Sequence, residues 1–110
     1  MKTYEIILQQ LGGNKFLAMT GAHHLVGDGD TLRMQLPKNM SKANRLWITY
    51  NPGMDHYTMR FFHYTPERFN SKKLTFTEAK TKEIKQLDGV YCDMLQEIFT
   101  ETTGMYTRLF

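Results

Sequence analysis

The chain has 110 residues, 41% of them hydrophobic and 13% aromatic, which is enough apolar material for one packed domain and excludes a disordered chain. Its one cysteine, Cys92, excludes an intrachain disulfide and a cysteine-built zinc site. No run approaches the roughly 20 apolar residues of a membrane span, so a soluble, cytoplasmic protein with no membrane partner is the expectation.

The net charge of +3 is unevenly spread: residues 33–85 hold eleven Lys/Arg and four acids, whereas residues 86–110 hold one Arg and four acids. A basic region is the electrostatic footprint of nucleic-acid binding. Solvated faces of opposite sign on a sheet and a helix produce the same asymmetry.

Along residues 3–11, Tyr4, Ile7, Leu8 and Leu11 recur at helical spacing, and Gly12-Gly13 supplies a left-handed stop. Asn14 is a candidate N-cap for a second short helix from Lys15 to Thr20, although Phe16-Leu17-Ala18-Met19 fits a short buried strand equally well. Gly27-Asp28-Gly29-Asp30 has turn chemistry. Leu32, Met34 and Leu36 then alternate with Arg33 and Gln35, a half-buried strand that Pro37 ends. Residues 38–44 read as a polar loop.

Residues 45–64 hold the only Trp and read as two strands joined at Pro52-Gly53. Leu46, Ile48 and Tyr50 share one face with Tyr57, Met59, Phe61 and His63; Leu46, Ile48, Met59 and Phe61 are the expected core. The opposite face mixes Trp47, Phe62 and Tyr64 with Arg33, Arg45 and Arg60.

Residues 65–73 read as a polar loop, and Leu74 and Phe76 suggest a further strand on which Ile84 and Leu87 either pair back or begin the last helix early. From Asp88, an expected N-cap, Val90, Tyr91, Met94, Leu95, Ile98 and Phe99 make a helical stripe that Gly104 ends. The tail Met105–Phe110 is apolar enough to be expected packed. The fold class expected is α+β: an N-terminal helix, an antiparallel sheet of four to five strands, and a C-terminal amphipathic helix packed on the sheet.

Little here reads as catalysis. His23-His24 with Asp28 and Asp30 invites a metal, but neighbouring strand residues point to opposite faces, and Asp-Gly-Asp lacks the later ligands of a calcium loop. Asp55-His56 has no nearby nucleophile, and Cys92 is expected as a partly buried helix residue among acids. No nucleophile-elbow, phosphate-loop or metalloprotease motif occurs. The expectation is no enzyme, no metal and no cofactor. Arg33, Arg45, Trp47, Arg60, Phe62 and Tyr64 are the candidate binding residues, because aromatic rings stack on unpaired bases while Arg and Lys neutralise phosphates. At this level either that face is open or a helix covers it. The rival to single-stranded nucleic acid is a protein partner, a host protein or a second copy, met by the tail and the acidic helix face.

The blocks Leu11-Gly-Gly-Asn-Lys-Phe-Leu-Ala-Met-Thr-Gly-Ala and Gly89-Val-Tyr-Cys-Asp-Met-Leu-Gln-Glu-Ile-Phe-Thr-Glu-Thr-Thr-Gly-Met-Tyr-Thr-Arg-Leu resemble a family of small uncharacterised proteins encoded by phages, plasmids and other mobile elements of bacteria. The resemblance runs through Asp30-Thr-Leu-Arg and Lys42-Ala-Asn-Arg-Leu and covers nearly the whole chain. It implies a cytoplasmic accessory protein of a mobile element and brings no catalytic residue with it.

Overall fold

The computed structural model describes residues 2–107. Helix α1 (Thr3–Leu11) and helix α2 (Asn14–Thr20) precede strands β1 (His23–Asp28), β2 (Thr31–Gln35), β3 (Arg45–Asn51), β4 (His56–Thr65), β5 (Arg68–Asn70), β6 (Thr75–Thr77) and β7 (Lys80–Val90). A 3-10 turn, Cys92–Met94, leads into helix α3 (Leu95–Thr103). The fold is α+β. Five antiparallel strands form one sheet in the order β1-β2-β3-β4-β7, and β5 pairs with β6. No helix among the described residues is long and apolar enough to cross a membrane.

Period-two alternation decides which sheet face meets the helices. Leu32 and Met34 of β2, Leu46 and Ile48 of β3, and Tyr57, Met59 and Phe61 of β4 are buried together with Ile7 and Leu11 of α1, Phe16 of α2, and Leu95, Ile98 and Phe99 of α3. Phe16 and Phe99 meet edge to face with centroids 5.0 Å apart, joining the two ends of the described chain across the core. Met105 packs against this cluster and Thr107 is buried; residues 108–110 of the tail lie outside the described residues.

Several local expectations are corrected. The second short element is a helix, but its N-cap is Gly13, and Asn14 is the first helical residue with no capping side chain. The loop expected at 65–73 contains β5, and Leu74 sits in the β5–β6 turn at φ 52 rather than in a strand. Of the two alternatives for Ile84 and Leu87 the strand holds, but it pairs with β4 rather than with the Phe76 strand, and Val90, expected in the last helix, ends it. Ile84, Leu87 and Val90 lie three apart, which looks helical, yet they belong to β7. Two bulges against β4 make the spacing: Phe61 and Phe62 face Lys85 and Glu83, leaving Ile84 extra, and Tyr57 and Met59 face Val90 and Leu87. Gly89, at φ 68, supplies the backbone that the second bulge uses. Helix α3 therefore starts at Leu95, with Met94 rather than Asp88 at its N-cap. Cys92 lies in the preceding turn and is exposed.

Helix α1 reaches the sheet by a close approach. A Cβ on Gly27 of β1 would fall 2.3 Å from the Tyr4 ring, so Tyr4 lies directly on a strand backbone that only glycine leaves bare. Gly27→Ala is expected to destabilise the fold by about 1–3 kcal/mol, the usual cost of overpacking, measured by denaturant unfolding. The cost should shrink in the Tyr4→Ala background, and a fully additive double mutant would refute the contact.

Candidate nucleic-acid interface

The face of the sheet turned away from the helices is built by register. Trp47 of β3 stands between Arg33 of β2 and Arg60 of β4, and Arg45 stands opposite Phe62. All six candidate residues are therefore neighbours on one surface. The Arg33 guanidinium carbon lies 4.3 Å from the centre of the Trp47 ring. That of Arg60 lies 5.3 Å from Trp47 and 4.2 Å from Phe62. Arg45 stands over Tyr64 at 5.4 Å. Trp47 and Phe62 meet edge to face, centroids 5.5 Å apart and planes at 82°. These are cation–π distances, and each contact places a guanidinium beside an aromatic ring.

This layering changes how the surface presents itself. Phe62 is only 5% exposed although it stands outside the main core; arginines and Trp47 cover it instead of helices. Two of the guanidiniums are anchored by carboxylates: Arg33 donates to Asp28 at 2.8 Å, and Arg60 pairs with Glu83 on the neighbouring strand. Arg33 Nε is shielded from solvent without a hydrogen-bond partner. Arg45 pairs with no carboxylate among the described residues and donates to the carbonyl of Asn44 at 3.2 Å. The outer layer is thus guanidinium groups over aromatic rings. Sequence reasoning found the six residues through alternation but missed Asp28 and Glu83, the first because it reads as a turn residue, the second because β7 was not assigned.

The other candidate groups do not gather. His23 and His24 lie with ring centroids 5.0 Å apart, so they do not point to opposite faces as a regular strand demands. A positive φ of 52 at His24 and a register shift in β1 turn the second ring back. His23 Nδ1 bonds the Gly21 carbonyl at 2.9 Å, and Asp28 is taken by Arg33. Among the described residues no three His, Cys, Asp or Glu gather as metal ligands. At the β3–β4 turn the Tyr50 hydroxyl donates to Asp55 at 2.7 Å, and this hydrogen bond holds the phenol above its ordinary pKa. Burial pushes Tyr57 up as well. No protein-family model, curated protein or solved structure matches the chain.

Arg33→Ala and Arg60→Ala should each make Trp47 easier to quench with acrylamide, and the double variant more so. An unchanged quenching slope would contradict the layering. Phe62→Ala should cost about 3 kcal/mol in denaturant unfolding, as for a well-packed core ring.

Proposed function

We propose that the protein is a non-enzymatic, cytoplasmic accessory protein of a mobile element that binds single-stranded nucleic acid across this sheet face. The observation that carries the reading is the layer of Arg33, Arg45 and Arg60 over Trp47, Phe62 and Tyr64 on the face that the helices leave bare. Unpaired bases stack on guanidinium planes as well as on aromatic rings, and the same guanidiniums meet phosphates. Each stacked base contributes about 1–3 kcal/mol. The layer spreads over three neighbouring strands, which suits splayed bases better than a small ligand. The mobile-element context rests on the sequence resemblance alone.

The carboxylates set the phosphate arithmetic. Arg45 is free to meet a phosphate at once, while Arg33 and Arg60 must share theirs with Asp28 and Glu83. Fluorescence anisotropy with a labelled single-stranded oligonucleotide across a salt series reads the difference. Engagement of all three arginines gives a log–log slope of about −2, and Arg45 alone gives about −0.7. Arg60→Ala and Trp47→Ala should each abolish most of the binding. No binding at low salt by the unaltered protein would refute the reading.

A second reading, a protein-interaction module, draws on the other side of the molecule. Asp93, Glu97, Glu101 and Tyr106 line a hollow of about 380 Å³ beside α3, an acidic surface suited to a basic segment of a host protein or a second copy. It predicts a captured partner or a dimer indifferent to Arg60→Ala and Trp47→Ala.

A further inference from the structure

The β5–β6 hairpin is not a separate unit but the far end of β4 and β7. Those strands pair as Phe62↔Glu83, His63↔Lys82, Tyr64↔Thr81 and Thr65↔Lys80. The same register resumes without slip at Arg68↔Thr77, Phe69↔Phe76 and Asn70↔Thr75. Only Pro66-Glu67 and Glu78-Ala79 intervene, and Pro66 has no N–H to give to a ladder. Strand β3 stops pairing with β4 at Arg45↔Phe62, so the ribbon beyond that point is two-stranded. Its root is clamped by Asn44, whose Oδ1 accepts from the Tyr64 N–H at 2.7 Å and whose Nδ2 donates to the Tyr64 carbonyl at 2.8 Å. From His63 to Asn70, at about 3.3 Å per residue, the arm runs about 23 Å; the whole molecule measures 50 Å along its longest axis.

The arm has no core of its own. Every residue from Pro66 to Lys82 is exposed, including Phe69 at 64%, Leu74 at 79% and Phe76 at 58%. Register and alternation put Phe69 and Phe76 on the same face. The arm also carries the charge. Residues 66–82 hold Arg68, Lys72, Lys73, Lys80 and Lys82 against Glu67 and Glu78, a net +3 equal to that of the whole chain, while the other residues hold nine cations and nine acids. None of the five arm cations sits in an ion pair among the described residues. At the root, Lys38, Lys42 and His63 line a hollow of about 440 Å³, and His63 is the register partner of Lys82, so the basic surface continues onto the body.

We propose that this arm is a contact for duplex DNA, separate from the sheet face and built from different residues. An unpaired excess of cations on a projecting ribbon matches a polyanion, whose condensed counterions are released on binding. The major groove of B-form DNA, about 12 Å wide, admits a two-stranded ribbon, whereas the deep, narrow major groove of A-form RNA does not. Phe69 and Phe76 supply apolar contact with base edges and thymine methyls, and the lysines at the turn and along the flanks reach phosphates. The acidic hollow beside α3 of a second copy is the competing occupant, but an arm seated there would leave its own hollow open and propagate head to tail.

The test is anisotropy with a labelled DNA duplex of about 20 base pairs and a single strand of equal length, across a salt series, together with sedimentation of the protein alone. The unaltered protein should bind the duplex. Lys72→Gln with Lys73→Gln should weaken duplex binding at least about tenfold and flatten the log–log slope by about 1.8. Phe69→Ser with Phe76→Ser should weaken it without changing the slope. Both pairs should leave thermal unfolding and single-strand binding unchanged, because the arm packs on no core. Absence of duplex binding, or arm variants that bind the duplex as the unaltered protein does, would overturn the proposal. So would a dimer that the Phe pair dissociates in a protein that ignores the duplex. Loss of single-strand binding in Arg60→Ala alone bears on the sheet face and not on the arm.

Discussion

In β4 successive side chains leave the backbone on opposite sides, and the rest of the molecule is arranged around that alternation. Tyr57, Met59 and Phe61 turn towards the helices and are buried. Thr58, Arg60 and Phe62 turn the other way, and the strand then runs on past the end of β3 into the arm. A one-residue slip against β3 would send Arg60 into the core and Met59 into water, which the burial of a whole face forbids. The pairing from Arg45↔Phe62 to Asn51↔His56 is continuous. One strand thus commits a core, an aromatic floor and a projecting ribbon at once.

The face without helices solves a problem of its own. Trp47, Phe62 and Tyr64 left bare on an open sheet would make an apolar patch of the kind that promotes association. Here the guanidiniums of Arg33 and Arg60 lie beside the rings, and both side chains keep part of their surface in water. Asp28 and Glu83, placed on flanking strands, hold two of the guanidiniums in that posture. Exposed ion pairs of this sort contribute little to stability. Their consequence is orientation: Asp28 and Glu83 fix where the Arg33 and Arg60 guanidiniums sit beside the rings.

What could be read from the sequence follows the strength of its periodic signals. Leu32, Met34, Leu46, Ile48, Met59 and Phe61 were legible as core, because regular strands keep an unbroken period of two. The six residues of the candidate face followed from the same rule. That the face stays free of helices was not legible, since alternation cannot say on which side α1 and α3 pack. β7 was legible only as one of two alternatives for Ile84 and Leu87. Its bulges spread Ile84, Leu87 and Val90 to a spacing of three, which imitates a helix. The arm was hidden because Arg68 to Thr77 buries nothing; with no core to contact, it shows the composition of a loop.

β7 is also an edge of the five-stranded sheet, with β4 on one side and, among the described residues, no strand on the other. An unpaired edge this long is a template on which another extended chain can dock and from which fibres grow. Lys80, Lys82 and Lys85 along the strand, and the two bulges that kink it, oppose such growth. The spacing that disguises β7 in the sequence therefore has a protective side. A smoother, more readable edge would pair more readily with the wrong neighbour.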